Sequence, residues 1–124
     1  MNRTTLALIL FSVVVTAAAQ IVLKAGMTGD AVRRAIDTGF GYRTIAIVFL
    51  NPLVISGLLL YFGAAMVWLV VLTRAPVSVA YPFVALGFVL TALFGKMLFQ
   101  EELTSIRIVA IFLICIGVAL LARD

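Results

Sequence analysis

The sequence predicts an all-α integral membrane protein with four transmembrane helices. Of its 124 residues, 65% are hydrophobic and only 11% are charged, and the mean hydropathy is +1.30. Water-soluble domains are only about half apolar and about one-quarter charged. The charged residues also leave long uncharged runs at 4–23, 44–73, 75–95 and 108–122. Runs of about 20 apolar residues are long enough to cross the hydrocarbon core of a bilayer as helices.

The first predicted span covers residues 4–25. It begins after Arg3 and ends near Lys24, and about 20 helical residues extend about 30 Å, which matches the hydrocarbon thickness. Because three further spans follow, we interpret it as a retained helix and not as a cleaved signal peptide. Residues 28–43 are polar and contain three glycines. They predict a surface loop, which can include one short interfacial helix.

The uncharged run 44–73 is too long for a single span, so we expect a break within it. Asn51-Pro52 supplies the break, because the residue before a proline avoids helical geometry and proline is favoured in a first helical turn. We therefore predict a short interfacial segment at 44–50 and a second span at 52–73. The turn that follows is so short that the second and third spans must be antiparallel neighbours.

The third predicted span covers residues 77–99 and the fourth covers residues 104–122. Pro82 lies near the start of the third span and predicts a kink or a loosened first turn. Thr104, or alternatively Ser105, is a suitable N-cap for the fourth span. The whole chain, 1–124, is predicted to be a single transmembrane domain. Basic residues are more numerous on the side of the first and third loops, which favours a cytoplasmic position for that side.

Composition also excludes several classes of function. The chain has no His and one Cys, so it lacks imidazole bases and thiolate metal clusters. We therefore predict that it is not an enzyme and that it binds no cofactor and no metal. The net charge of +4 comes from residues at the ends of apolar runs, where cations meet lipid headgroups. For that reason we expect membrane lipids, and no nucleic acid, as partners.

A polar stripe on the first span is the most informative feature of the sequence. Ser12, Thr16, Gln20 and Lys24 recur every four residues, so a helix places them along one slowly drifting face. Taken singly, the hydroxyls can bond to their own backbone, Gln20 can join two helices, and Lys24 can reach the headgroups. Taken together, four polar groups facing lipid would be costly. We therefore predict that this span lines a polar groove.

Small residues predict where helices pack closely. Gly87, Thr91 and Gly95 follow one another at four-residue spacing on the third span, and Gly117 lies on the fourth span beside Cys115. Alternatively, Gly87 leaves room for a substrate group. The fourth span suits a helix pair between subunits, and four helices alone enclose little volume, so we expect a dimer.

Two glutamates follow the third span, and one of them is a candidate for a gate. We predict that Glu101 forms an ion pair with a lysine and that this pair gates the opening on the loop side. Lys96 is close to it in sequence, and Lys24 is within reach by topology. For Glu102 we expect ordinary solvation at the interface.

The placed residues resemble the four-helix form of the drug/metabolite transporter superfamily. The segments VWLVVL at 67–72, APVSVAYP at 75–82 and FV at 88–89, with Glu101 a span later, are similar to the small flippase subunits for undecaprenyl-phosphate-linked aminoarabinose. Ala19-Gln20 followed by Lys24 resembles the first-helix motif of the same subunits. Gly87 departs from them, since they often carry Asn at that position.

This resemblance implies a flippase that moves a polyprenyl-phosphate-linked sugar across the bacterial inner membrane, as a homodimer or as a heterodimer with a similar chain. Lys24 would then bind the phosphate, and Gln20 and Thr16 would bind the sugar hydroxyls. Tyr81 would stack or donate a hydrogen bond. An alternative is a cation exporter like the small multidrug resistance family, which LICIGV at 113–118 also resembles. That family's first-helix glutamate aligns with Thr16, which cannot exchange a proton. A second alternative is a non-transporting membrane subunit of a glycosyltransferase system.

Overall fold

The fold is known from a computed structural model that describes residues 2–123. Met1 and Asp124, the ends of the predicted domain, lie outside the described residues. The described chain is helical and contains no strand. Its helices are α1 (Arg3–Met27), α2 (Asp30–Asp37), α3 (Tyr42–Leu50), α4 (Pro52–Arg74), α5 (Val77–Ala80), α6 (Val84–Phe99) and α7 (Ser105–Arg123).

Four helical segments of the described chain are long and apolar enough to cross a membrane. They are Arg3–Met27, Pro52–Arg74, Val77–Phe99 and Ser105–Arg123. Each boundary lies within about two residues of the predicted one, which is the usual uncertainty of helix ends. The prediction of a four-helix membrane protein is therefore confirmed.

Polar side chains fix the starts of three long helices. The Asn2 side chain accepts a hydrogen bond of 2.7 Å from the Thr5 amide at the start of α1. At the start of α4, the Asn51 side chain accepts from the Leu53 amide at 2.9 Å. The Thr104 hydroxyl accepts from the Arg107 amide at 3.3 Å, so Thr104 is the N-cap of α7. These bonds satisfy amides that have no carbonyl partner within the helix.

Pro82 interrupts the third span, as predicted. The span consists of α5, a 3-10 turn at Tyr81–Phe83 and then α6. Proline has no amide hydrogen and its ring crowds the preceding turn, so a regular α-helix cannot run through this point. The tighter turn keeps the span continuous while changing its geometry locally.

The segment between the first two spans is more ordered than a plain loop. It contains α2, the predicted short helix, and α3, which includes the predicted interfacial segment 44–50. Val32 and Ala35 are the buried residues of α2. The Thr44 hydroxyl lies 2.6 Å from the carbonyl oxygen of Gly39 and 3.2 Å from that of Ala35, and it therefore ties α3 to the end of α2.

α1 and α4 form the tightest pair of helices and run antiparallel. Small residues recur every seven positions along the seam, with Ala19 and Gly26 on α1 and Gly57 and Ala64 on α4, and all four are buried. A Cβ atom added at Gly57 would lie 2.7 Å from Cγ of Leu23. Seven-residue spacing keeps one face of a helix against its partner, and small residues allow the backbones to approach closely.

α7 lies at the edge of the bundle, where it packs against α6 and the 3-10 turn. Val118 is its one buried residue within the described chain. Val118 joins Ile9, Val13, Val71 and Phe83 in the apolar core. Since these residues lie toward the α4–α5 connection, the bundle is closed at the end opposite to Lys24.

Candidate functional site

A cavity of about 790 Å³ lies between α1, α4 and the third span. Its volume is within the usual range for small-molecule sites, about 300–1,000 Å³. Polar groups are few and lie mainly along α1, while α4 and α6 contribute apolar and aromatic walls. The residues that line the cavity include Ser12, Thr16, Gln20, Lys24, Tyr61, Trp68, Tyr81, Gly87, Phe88, Thr91, Gly95, Phe99 and Glu101.

The polar stripe on α1 leads from the helix seam into the cavity. Four-residue steps advance about 40° around a helix, whereas seven-residue steps retreat by about 20°. Ser12 is buried at the seam, but Gln20 and Lys24 are exposed within the cavity. By the end of the helix, Lys24 and the seam residue Gly26 lie on nearly opposite faces. One helix can therefore pack tightly on α4 and line a polar cavity.

The two hydroxyls at the inner end of the stripe already donate to backbone carbonyls. The Ser12 hydroxyl donates across the seam to the carbonyl oxygen of Ala64 at 3.0 Å. The Thr16 hydroxyl donates to the carbonyl oxygen of Ser12 at 2.7 Å. Ser12 therefore acts as a link between helices. Thr16 still lines the cavity and can accept a hydrogen bond, but its own hydrogen is engaged.

Gln20 and Lys24 form the available polar end of the stripe. The Gln20 amide makes no hydrogen bond to another side chain or carbonyl within residues 2–123, so its donors and its acceptor are free. Nζ of Lys24 lies 5.9 Å from the centre of the Phe99 ring, a distance at which the ring face attracts a cation. The Lys24 side chain is 49% exposed.

Lys24, and not Lys96, forms the ion pair with Glu101. The Lys24 Nζ and Glu101 Oε1 atoms are 3.7 Å apart. Lys96 makes no ion pair with any of the described residues and lines a separate, smaller cavity beside Glu102. Of the two lysines that the sequence offered, the one within reach by topology pairs with Glu101, and the one close in sequence does not. The reason is geometric, since the chain turns back after α6 and carries Glu101 toward α1.

Tyr81 lines the cavity at the end far from Lys24. Tyr81 precedes Gly95 by 14 positions, which corresponds to about 20 Å along a helix. Gly95 in turn contacts the Glu101 carboxylate that pairs with Lys24. Lys24 and Tyr81 therefore lie too far apart to contact one small headgroup at the same time.

The residues predicted to mediate helix packing differ in what they contact. A Cβ atom at Gly87 would lie 3.4 Å from Cγ1 of Val13, so Gly87 packs on α1. The Thr91 hydroxyl donates to the Gly87 carbonyl oxygen at 2.7 Å. The three atoms nearest to a Cβ position at Gly95 all belong to the Glu101 carboxylate, with Oε1 at 3.1 Å. Gly117 has no atom of the described chain within 4 Å of a Cβ position.

Aromatic walls and close-packing glycines are the features that sequence reasoning missed. Tyr61, Trp68, Phe88 and Phe99 line the cavity together with Tyr81. Gly26 and Gly57 were not singled out, although the seven-residue spacing of small residues was a visible signal for them.

Within residues 2–123, no group of three or more Cys, Asp or Glu side chains could hold a metal ion. The arrangement suits binding of a polar or charged headgroup.

Comparison with known proteins assigns the family. The chain is 34% identical over 118 residues to a protein of Sodalis glossinidius named as a probable 4-amino-4-deoxy-L-arabinose-phosphoundecaprenol flippase subunit ArnF, and the alignment covers 90% of this chain and 85% of that protein. The chain belongs to the ArnE/ArnF family of flippase subunits. The expected resemblance is thereby confirmed. No family model and no solved structure matched the chain.

Relatives named as probable ArnE subunits match shorter parts of the chain. The one from Pseudomonas fluorescens is 42% identical over 59 residues, or 48% of this chain and 52% of that protein. The one from Serratia proteamaculans is 41% identical over 75 residues, or 60% of this chain and 64% of that protein. The chain thus spans about half to two-thirds of these ArnE relatives and most of the ArnF relative. It is a multi-pass membrane protein of this family.

Proposed function

We propose that this protein is a flippase subunit that moves a polyprenyl-phosphate-linked sugar across the bacterial inner membrane. The observation that carries the proposal is the Lys24 ammonium, which is exposed within a cavity between membrane-spanning helices. The relatives' names describe flippase subunits for a phosphoundecaprenol-linked amino sugar. A lysine that lines a membrane bundle is stabilised by an opposite charge. Glu101 supplies one at 3.7 Å, and a lipid phosphate that enters the cavity would be a second anionic partner for Lys24.

The lipid tail and the headgroup would follow different routes in this mechanism. The tail remains among the acyl chains beside the helices, while the phosphate and sugar enter the cavity. Lys24 pairs with the phosphate. The free amide of Gln20 and the Thr16 oxygen bond to sugar hydroxyls further along the same helix. Tyr81 contacts the headgroup at the far end of the cavity, after the headgroup has left Lys24. The four spans act as one transport domain.

We further propose that the subunit works as a dimer with an identical or similar chain. The outward face of α7 supports this proposal, because its large apolar residues are exposed and nothing in the described chain approaches Gly117. Gly117→Leu should therefore leave the fold of the single chain intact while lowering the dimer fraction in a gentle detergent. An unchanged dimer fraction, measured by light scattering, would show that α7 does not form the dimer interface.

A flipping assay tests the proposed function. The protein is reconstituted in liposomes with a fluorescent farnesyl phosphate that carries a sugar, and movement to the other leaflet is measured by dithionite quenching. We expect Lys24→Gln to slow flipping about tenfold or more, because one lost charge pair at about 1.4 kcal/mol or above changes an equilibrium that much. Arg34→Gln, on the exposed face of α2, should flip at the wild-type rate.

A second candidate function is export of organic cations. The aromatic walls and the Glu101 carboxylate in the cavity favour it, because aromatic faces and carboxylates both attract cations. Its signature would be uptake of a soluble cation into liposomes driven by a pH gradient. That result, without flipping of the lipid, would replace the flippase proposal. Flipping equally slow with and without the protein would favour a subunit that does not transport.

A further inference from the structure

Tyr61 belongs to the wall of the cavity that α4 contributes, and the mechanism above gives it no role. Tyr61 lines the cavity and is 46% exposed. The next residue, Phe62, is 65% exposed but does not line the cavity. The two neighbouring aromatic residues of α4 therefore differ in their surroundings, and of the two it is Tyr61 that presents an aromatic surface to the inside of the bundle.

Contacts between α1 and α4 give the level of Tyr61 along the cavity. The Ser12 hydroxyl donates to the Ala64 carbonyl oxygen at 3.0 Å, and Leu23 packs against Gly57. Tyr61 lies between Gly57 and Ala64 on α4. Because the two helices are antiparallel, Tyr61 is level with the part of α1 between Ser12 and Leu23. That part of α1 carries the middle of the polar stripe.

The cavity has two chemically different walls at this level. On α1, Thr16 and Gln20 line the cavity with polar groups, while Tyr61 lines it from α4 with an aromatic ring. Ala65, one turn from Tyr61, and Ala92 on α6 line the same cavity. Small side chains at these positions leave space beside the tyrosine ring. A ligand at this level therefore meets hydrogen-bonding groups from α1 and an aromatic surface from α4.

A sugar ring has the two kinds of surface that these walls require. Its hydroxyls need hydrogen-bond partners, whereas the C–H groups on its ring faces are apolar. The face of an aromatic ring carries partial negative charge and attracts such hydrogens. Gln20 lies one helical turn from Lys24, about 6 Å along the axis. A phosphate at Lys24 therefore places the attached sugar close to the level of Tyr61.

We infer that Tyr61 is a specificity-determining residue, on whose ring the sugar of the lipid headgroup packs. The polar stripe bonds the hydroxyls of the sugar, and the ring of Tyr61 covers one of its C–H faces. The aromatic ring supplies this contact and the phenol hydroxyl does not, so phenylalanine can replace tyrosine here. This inference rests on the proposed function, because it takes Lys24 as the phosphate ligand.

Binding of two lipids of equal charge to the reconstituted protein tests the inference. Both are phosphodiesters of farnesol, one joined to a neutral pentose and the other to a methyl group. We expect the wild type to bind the pentose lipid about tenfold more tightly, and Tyr61→Leu to reduce that preference to about twofold. Tyr61→Leu should bind the methyl lipid as tightly as the wild type does, which also shows that this variant is folded.

Two matched variants separate packing of the sugar on the ring from other effects. Tyr61→Phe should keep the preference, because the ring remains. Phe62→Leu should keep it, because Phe62 does not line the cavity. A full preference in Tyr61→Leu, or a lost preference in either matched variant, would overturn the inference and leave the flippase proposal standing. Equal binding of both lipids by the wild type would also overturn it. If the wild type bound neither lipid, the proposed function would fail and the inference with it.

Discussion

The two sides of α1 have different roles: one packs against α4, and the other lines the cavity. Toward α4, the helix presents Ala19 and Gly26 and packs backbone against backbone, with no room even for a methyl group at Gly57. Toward the third span, the same helix presents Gln20 and Lys24 to a cavity of about 790 Å³. The contrast indicates that a small bundle can open a cavity on one side because the other side is held by close packing.

The seam should be far more sensitive to added volume than the rest of α4. Gly57→Ala places a Cβ atom 2.7 Å from Cγ and 3.1 Å from the backbone nitrogen of Leu23, and we expect a loss of about 1–3 kcal/mol in the free energy of unfolding. Gly63→Ala on the same helix meets nothing within 4 Å. It should stabilise the helix by about 0.5–1 kcal/mol. Unfolding in mixed micelles measures the change in the free energy of unfolding for both variants. Equal effects of the two variants would contradict close packing of α1 against α4 at Gly57.

The hydrogen bond across the seam should contribute less than the packing. Ser12→Ala removes the 3.0 Å bond to the Ala64 carbonyl oxygen, and bonds between membrane helices are worth about 0.6 kcal/mol on average. Ser56→Ala is the matched control, because Ser56 is exposed and donates within its own helix to Pro52. The same unfolding assay should show a loss for Ser12→Ala alone. A larger loss for the control would mean that Ser12 does not join the helices.

The cavity side of α1 should tolerate substitution with the smallest effect on stability. Gln20 is exposed and its amide is free, so Gln20→Ala should change the free energy of unfolding by less than about 0.5 kcal/mol. Flipping should nevertheless slow, since the sugar loses a hydrogen-bond partner. Unfolding and flipping are measured on one preparation. A large loss of stability with normal flipping would assign Gln20 to helix packing.

The spans were predictable because bilayer thickness and proline chemistry act locally along the chain. Asn51-Pro52 and Pro82 marked their breaks correctly, and Thr104 marked its cap. The choice between Lys24 and Lys96 as the partner of Glu101 was not predictable in the same way. It depends on the left-handed turn at Gln100, which returns the chain toward α1, and no spacing in the sequence announces that turn.

The polar stripe shows the same division between local and tertiary information. Its four-residue spacing placed Ser12, Thr16, Gln20 and Lys24 on one helix face. Which of them bond to backbone and which face the cavity depends on where α4 crosses α1. That crossing is set by Gly26 and Gly57, whose seven-residue registers matter only once the two helices are paired.

Native mass spectrometry of the protein extracted in gentle detergent tests the central claim most directly, namely that Lys24 holds a lipid phosphate inside the bundle. The wild type and Lys24→Arg should retain a bound polyprenyl phosphate, and Lys24→Ala should lose it while keeping the same subunit stoichiometry. The same bound lipid in Lys24→Ala at equal occupancy, or only bulk phospholipid in all three proteins, would contradict the account.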